Sequence, residues 1–188
     1  MTGEQVYIGY SDKINDPAVQ AALNKNKKAA KVFLVIVLIV PIAVTFFIGV
    51  KNGNVPDMVA GGVGISAVIL VINIISSLLQ AGKKQWEGTV TGKRTETHRN
   101  NRDEDNTSTY YVVDILTNDG KKRKISGTVN PYFDYLNVGD KVRYYPQFNN
   151  YYEKYDKSGD SYVFCPVCMT KNNIEDDFCK RCKVPVIK

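Results

Sequence analysis

Two stretches of this chain carry no charged side chain over lengths that match a lipid bilayer. Residues 32–50 (VFLVIVLIVPIAVTFFIGV) number nineteen, and residues 58–79 (MVAGGVGISAVILVINIISSLL) number twenty-two. About 20 apolar residues in an α-helix cover the hydrocarbon core, so each run is long enough to span it. The first run does not read as a secretory signal. It begins far from Met1, exceeds the usual apolar length and precedes no small-residue cleavage site. Two buried core helices fit no better, because a chain of 188 residues has too little else to cover both. The expectation is a transmembrane helical hairpin within residues 32–82, with a cell-membrane location and the lipid bilayer as a first partner.

Only residues 51–57 join the runs, and Gly53 and Pro56 supply turn chemistry there. Lys25, Lys27, Lys28 and Lys31 precede the first run, and Lys83, Lys84, Lys93 and Arg94 follow the second, against Lys51 alone in the connection. Lysine and arginine stay on the cytoplasmic side, which predicts both termini in the cytoplasm. Trp86 suits an aromatic anchor at headgroup level or the first core residue of the next domain. Within the runs, Ala60 with Gly64 and Gly62 with Ser66 have the small-xxx-small spacing that lets helices approach, within the hairpin or between copies in a homo-oligomer. Pro41 predicts a kink in the first span. Asn73 is the one strongly polar side chain at depth, and no ionisable group marks an ion or proton route. Ahead of the first span, residues 1–31 form a basic juxtamembrane segment. Its helical part starts with Asp16 as N-cap and Pro17 at the first helical position.

After Gly82 the period changes from helical to alternating. Trp86, Gly88, Val90 and Gly92 fall on one face, and Tyr111, Val113 and Ile115 continue the pattern. Asp119-Gly120 signals a hairpin, Asn130-Pro131 opens a short helical turn, and Val138-Gly139-Asp140 turns into a strand where Val142 and Tyr144 share a face. Four or five short strands over residues 83–160 predict a small cytoplasmic β-barrel or curled sheet of the OB or SH3 kind. Residues 98–108 read as a polar loop between strands. The basic run 121–124 fits a lysine-protected edge strand, an inner-leaflet contact or a grip on phosphates. His98, the single histidine, has no nucleophile or carboxylate tied to it by motif, so a catalytic constellation is missing and no enzyme is expected.

Charge limits the partners further. The net charge is +6, with 25 Lys and Arg against 19 Asp and Glu. Residues 83–188 hold 19 of the bases and 15 of the acids, leaving +4 spread over a long segment. That does not demand nucleic acid, which stays a rival partner rather than the expected one.

The most specific motif lies at the C-terminus. FCPVC (164–168) and FCKRC (178–182) repeat one pattern, and they contain all four cysteines of the chain. Two residues between cysteines let both thiolates of a tight turn reach one tetrahedral ion at about 2.3 Å. Cys165, Cys168, Cys179 and Cys182 are therefore the expected ligands of a structural Zn²⁺ in a zinc ribbon over residues 161–188. Disulfides would suit an exported domain, whereas the lysine distribution places this end in a reducing compartment. A redox CxxC needs a βαβ setting that is absent from the pattern, and an iron–sulfur centre is the other alternative.

With YLNVGDKVRYYP (135–146), YYEKYDKSGD (151–160) and the paired knuckles, the chain resembles a family of uncharacterised two-span proteins of Gram-positive bacteria that end in a zinc ribbon. The resemblance implies an α+β membrane protein with a hairpin, a small cytoplasmic β domain, a ribbon and bound zinc. It implies no reaction. Closed coordination and many tyrosines (Tyr144, Tyr145, Tyr151, Tyr152, Tyr155) make the expected function a membrane-anchored interaction or scaffold module, a component or accessory of a membrane protein complex with a protein partner at the cytoplasmic face. The alternatives are a membrane-tethered nucleic-acid binder and an oligomeric pore or transport accessory.

Overall fold

The computed structural model describes residues 7–99, 107–148 and 150–188. The described chain divides into two units, one spanning Pro17–Lys83 and the other joining residues 7–16 to Lys84–Lys188.

The first unit is a helical hairpin of α1 (Pro17–Asn52) and α2 (Val55–Ala81). α1 starts at Pro17, runs through the lysine-rich segment and stays helical through Pro41. Both helices are long and apolar enough to cross a membrane, and only 6% and 11% of their most apolar stretches is buried. A soluble core helix shows the opposite. Phe47, Leu78 and Leu79 are each about 70% exposed. The turn is tighter than the seven residues between the apolar runs: Gly53 adopts a positive φ of 73°, and Pro56 already lies in the first turn of α2.

Small residues set the contact between the helices. Gly62 and Ser66 are buried against α1, and the Ser66 hydroxyl donates to Leu38 O at 2.7 Å across the pair. A Cβ on Gly62 would stand 3.0 Å from Ile42 Cα and Pro41 O, and closer still to Thr45 Oγ1. Ala60 and Gly64 face outward, and the Asn73 amide donates to Ile69 O within its own helix at 3.0 Å. Gly62→Val should therefore force the helices apart and cost about 1–3 kcal/mol. Gly64→Val, which meets open space, should cost far less. Unfolding of the detergent-solubilised chain by a denaturing detergent compares the two, and equal losses would contradict the packing.

The second unit is built on a five-stranded antiparallel sheet in the order β3-β2-β1-β4-β5. Its strands are β1 (Trp86–Arg99), β2 (Thr107–Thr117), β3 (Lys122–Gly127), β4 (Lys141–Tyr145) and β5 (Tyr151–Lys154), with α3 (Pro131–Tyr135) between β3 and β4. The Asp119-Gly120 hairpin, the Asn130 cap and the shared face of Val142 and Tyr144 all form as expected. Asn130 Oδ1 accepts the Tyr132 N–H at 3.1 Å, and Gly120 takes a φ of 79°.

Two expectations change. The sheet is open rather than a closed barrel, since β3 and β5 pair with no common neighbour and remain its two edges. β4 and β5 are only five and four residues long, and the N-terminal segment occupies the position beside the end of β5. The strict alternation along β1 also fails. A bulge between Val90 and Gly92 aligns Val90 with Ile115 but Gly92 with Asp114, so Gly92 leaves the face of Trp86 and Lys93 replaces it opposite Val113.

The N-terminal segment was not visible as part of this unit from its sequence. The Gly9 N–H donates to Tyr155 O and the Lys157 N–H to Tyr7 O, both at 2.8 Å, and Ile8 bridges Asp156. Beneath this strap lies an ion pair between Glu153 and Lys157 at 3.1 Å, with side chains 0% and 1% exposed. Glu153 Oε1 also accepts the Ser11 N–H at 2.8 Å, and Lys157 Nζ donates to Gly9 O at 2.9 Å. The Tyr145 hydroxyl donates to the other Glu153 oxygen at 3.0 Å. Burial, then the Glu153 charge, push the Tyr145 phenol up to about 12, so it stays a donor.

The tyrosines expected at an interface are mostly interior. Tyr144, Tyr145 and Tyr151 are buried, Tyr152 is half-buried, and only Tyr155 is exposed, with its ring against Tyr10. α3 places Tyr132 and Tyr135 between the sheet and the C-terminal segment. Tyr132 meets Tyr152 and Phe164 edge-on at 5.1 and 5.7 Å, and Tyr135 meets Phe164 at 5.3 Å. Such edge-to-face pairs add stability beyond the area they bury, which explains the tyrosine content without an external partner.

Candidate metal centre

The C-terminal segment is organised by two matching turns. β6 (Tyr162–Phe164) pairs with β7 (Lys171–Asn173), and the first turn carries Cys165 and Cys168 between them. There the Met169 N–H donates to Cys165 O at 2.9 Å and the Cys165 N–H to Thr170 O at 3.0 Å. In the second turn the Lys183 N–H donates to Cys179 O at 3.0 Å and the Cys179 N–H to Val184 O at 2.8 Å. The spacing of the bonds is the same in both, and so is the left-handed residue that follows each second cysteine, Met169 at φ 56° and Lys183 at φ 61°. Each turn thereby points two sulfurs the same way.

Asn172 ties the turns together. It is wholly buried, donates from Nδ2 to Thr170 O at 2.8 Å and accepts the Lys180 N–H on Oδ1 at 2.9 Å. The Tyr132 hydroxyl accepts the Tyr152 N–H at 3.0 Å and lies 3.7 Å from Met169 Sδ, linking the first turn to the sheet. Neither residue stood out in the sequence.

All four expected ligands come together. Cys165 Sγ and Cys182 Sγ lie 3.5 Å apart, Cys168 Sγ and Cys179 Sγ 3.6 Å apart, and all four sulfurs are within 4.8 Å of one another. Sulfurs at the corners of a tetrahedron with metal bonds of about 2.3 Å stand about 3.8 Å apart, so the set fits a metal ion. Cys165 and Cys179 are buried, while Cys168 and Cys182 are half-buried and all four are free thiols. Burial pushes the Cys165 and Cys182 thiols up. Burial also opposes ionisation of Cys179, but the N–H groups of Cys182 and Arg181 and the neighbouring thiols outweigh it and bring that thiol down to about 6. A metal drawn to this set must displace thiol protons, so its affinity falls as the pH falls.

The other sequence candidates do not assemble a site among the described residues. His98 is exposed, edge-on to Tyr110 at 5.2 Å and 3.6 Å from a Glu96 oxygen. Of the expected polar loop 98–108, residues 98–99 end β1 and pair with residues 107–108 at the start of β2, and residues 100–106 lie outside the described chain. In the basic run, Lys121 pairs with Asp119 at 2.6 Å, and Lys122, Arg123 and Lys124 are exposed on the edge strand β3. That is the placement of edge-protecting cations. No protein-family model, no curated protein and no solved structure matches the chain.

Proposed function

We infer that the chain is a membrane-anchored interaction module, an accessory or component of a membrane protein complex, whose C-terminal zinc ribbon is held by a structural Zn²⁺. The observation that carries this reading is the closed sulfur set. Four thiols from two matching turns fill every position of a tetrahedral ion and leave none for water or substrate. Zinc is the usual ion of such four-cysteine sites; when bound it supplies folding free energy and no reaction. The two apolar helices cross the bilayer as a hairpin, and the lysines flanking both outer ends hold the termini in the cytoplasm. The reducing side of the membrane keeps the cysteines available as ligands. The likeness to two-span ribbon proteins of Gram-positive bacteria supports the same arrangement.

Thiol labelling tests the placement. With the four native cysteines kept and the parent chain as blank, Asn54→Cys should react with an impermeant maleimide in intact cells. Ser158→Cys should react only after lysis. Labelling of Ser158→Cys in intact cells would overturn the orientation. Mild cross-linking in membranes should capture a protein other than further copies of the chain, and its failure would contradict the scaffold role.

A further inference from the structure

The two cysteine turns share a backbone but not a surroundings. In the first, Phe164 is 7% exposed within the tyrosine cluster, and the positions around the cysteines are Pro166, Val167 and Met169. In the second, the equivalent Phe178 is 62% exposed and the same positions hold Lys180, Arg181 and Lys183, all exposed. An open phenylalanine followed by three exposed cations is not what a turn made only for folding requires, since the first turn folds without either.

The cations are also unspent. Lys188 pairs with Asp177 at 3.1 Å, and Asp176 accepts the Asn173 N–H at 2.9 Å. The side chains of Lys180, Arg181 and Lys183 form no ion pair among the described residues. Four thiolates on a divalent ion leave two negative charges, fewer than the three cations of this turn, so charge compensation alone does not account for all of them. Lys180 further lines a shallow cavity of about 260 Å³ with Ser161, Tyr162, Lys171, Asn172 and Asn173. Lys171 is held there over the Tyr162 ring at 3.6 Å.

We propose that the second cysteine turn is a membrane-surface contact, in which Phe178 enters the interfacial layer while Lys180, Arg181 and Lys183 engage the phosphates of anionic lipids. This rests on the reading that α1 and α2 span a bilayer, which makes a lipid surface an obligatory neighbour of a unit joined to the hairpin at both ends, at Pro17 and at Lys83. An apolar ring with flanking Lys and Arg is the chemistry that interface takes: the ring is buried at the acyl boundary and the cations meet headgroup charge. Nucleic acid is disfavoured, because single strands are gripped by several open rings in series and the other aromatics of this segment, Tyr162 and Phe164, are packed against Tyr135.

The test uses the full chain in vesicles of phosphatidylcholine alone or mixed with phosphatidylglycerol. Phe178→Trp is made with Trp86→Phe, which removes the single native tryptophan and keeps a ring beside Tyr144. Ile72→Trp in the same background reports the span. Lipids brominated on the acyl chains should quench Trp at 72 in both vesicle types. They should quench and blue-shift Trp at 178 only where phosphatidylglycerol is present, with loss of the effect at high salt and in Lys180→Ala/Arg181→Ala/Lys183→Ala. An unquenched residue 178 beside a quenched residue 72 overturns the proposal alone. An unquenched residue 72 overturns the spanning reading and this proposal with it. A blue shift at 178 produced by added RNA and not by anionic lipid would also overturn it.

Discussion

Replacing Cys165 or Cys179 with Ser is expected to abolish stoichiometric metal and to leave residues 161–188 open to protease. Both side chains are wholly buried at the centre of the sulfur cluster, and a serine hydroxyl does not ionise to replace a thiolate. The segment has little else to hold it: two three-residue strands and a few buried aliphatic residues, Val163, Val184, Val186 and Ile187. Structural zinc in small domains contributes about 10–16 kcal/mol of apparent binding free energy at neutral pH, far more than those contacts. The damage should reach the sheet. Phe164 and Met169 are among the contacts of Tyr132, so loosening the first turn withdraws partners from α3 as well. Limited proteolysis and elemental analysis of the substituted chains check this, and a cysteine variant that stays metal-free yet protease-resistant would refute it.

The second large effect lies under the N-terminal strap, at the buried Glu153–Lys157 pair. Glu153→Ala should destabilise the sheet unit by about 3–5 kcal/mol, because it leaves the Lys157 ammonium buried without its counter-charge. It also removes the acceptor of the Ser11 N–H and of the Tyr145 hydroxyl, so the strap over residues 7–11 should become the first site of cleavage. Replacing both members, Glu153→Met with Lys157→Leu, should lose less than the single substitution, since no charge then stays unpaired. Thermal unfolding of the detergent-solubilised chain reads both. A single substitution within about 1 kcal/mol of the parent would contradict the buried pair.

The cysteine cluster and the two apolar helices were legible because their information is local. A CxxC turn needs only its own few residues to aim two sulfurs, and an uncharged run of about twenty residues declares itself by length. The strap was not legible, because the Ser11–Glu153 and Gly9–Lys157 bonds join residues more than 140 positions apart. Nothing in YYEKYDKSGD distinguishes Glu153 and Lys157, four residues apart, from a solvated surface pair. Burial by a distant segment makes them interior. The open sheet was hidden for the same reason, since a strand count does not say what will lie beside the last strand. The bulge at Thr91 defeated the alternation along β1, and the tyrosines looked like an interface because composition does not tell an inward ring from an outward one. Phe178 is the reverse case: its motif twin Phe164 is interior, and only the packed structure separates them.

In the arrangement we propose, Cys165, Cys168, Cys179 and Cys182 hold one structural zinc ion in a chain anchored in the membrane. The most direct measurement is the metal content of the full chain, extracted from membranes with mild detergent and purified without a metal-affinity step. One zinc per chain, retained through gel filtration and lost together with the protease resistance of residues 161–188 on chelation, is the expected result. A metal-free chain whose C-terminal segment remains protease-resistant, or a chain that carries iron instead, would contradict it.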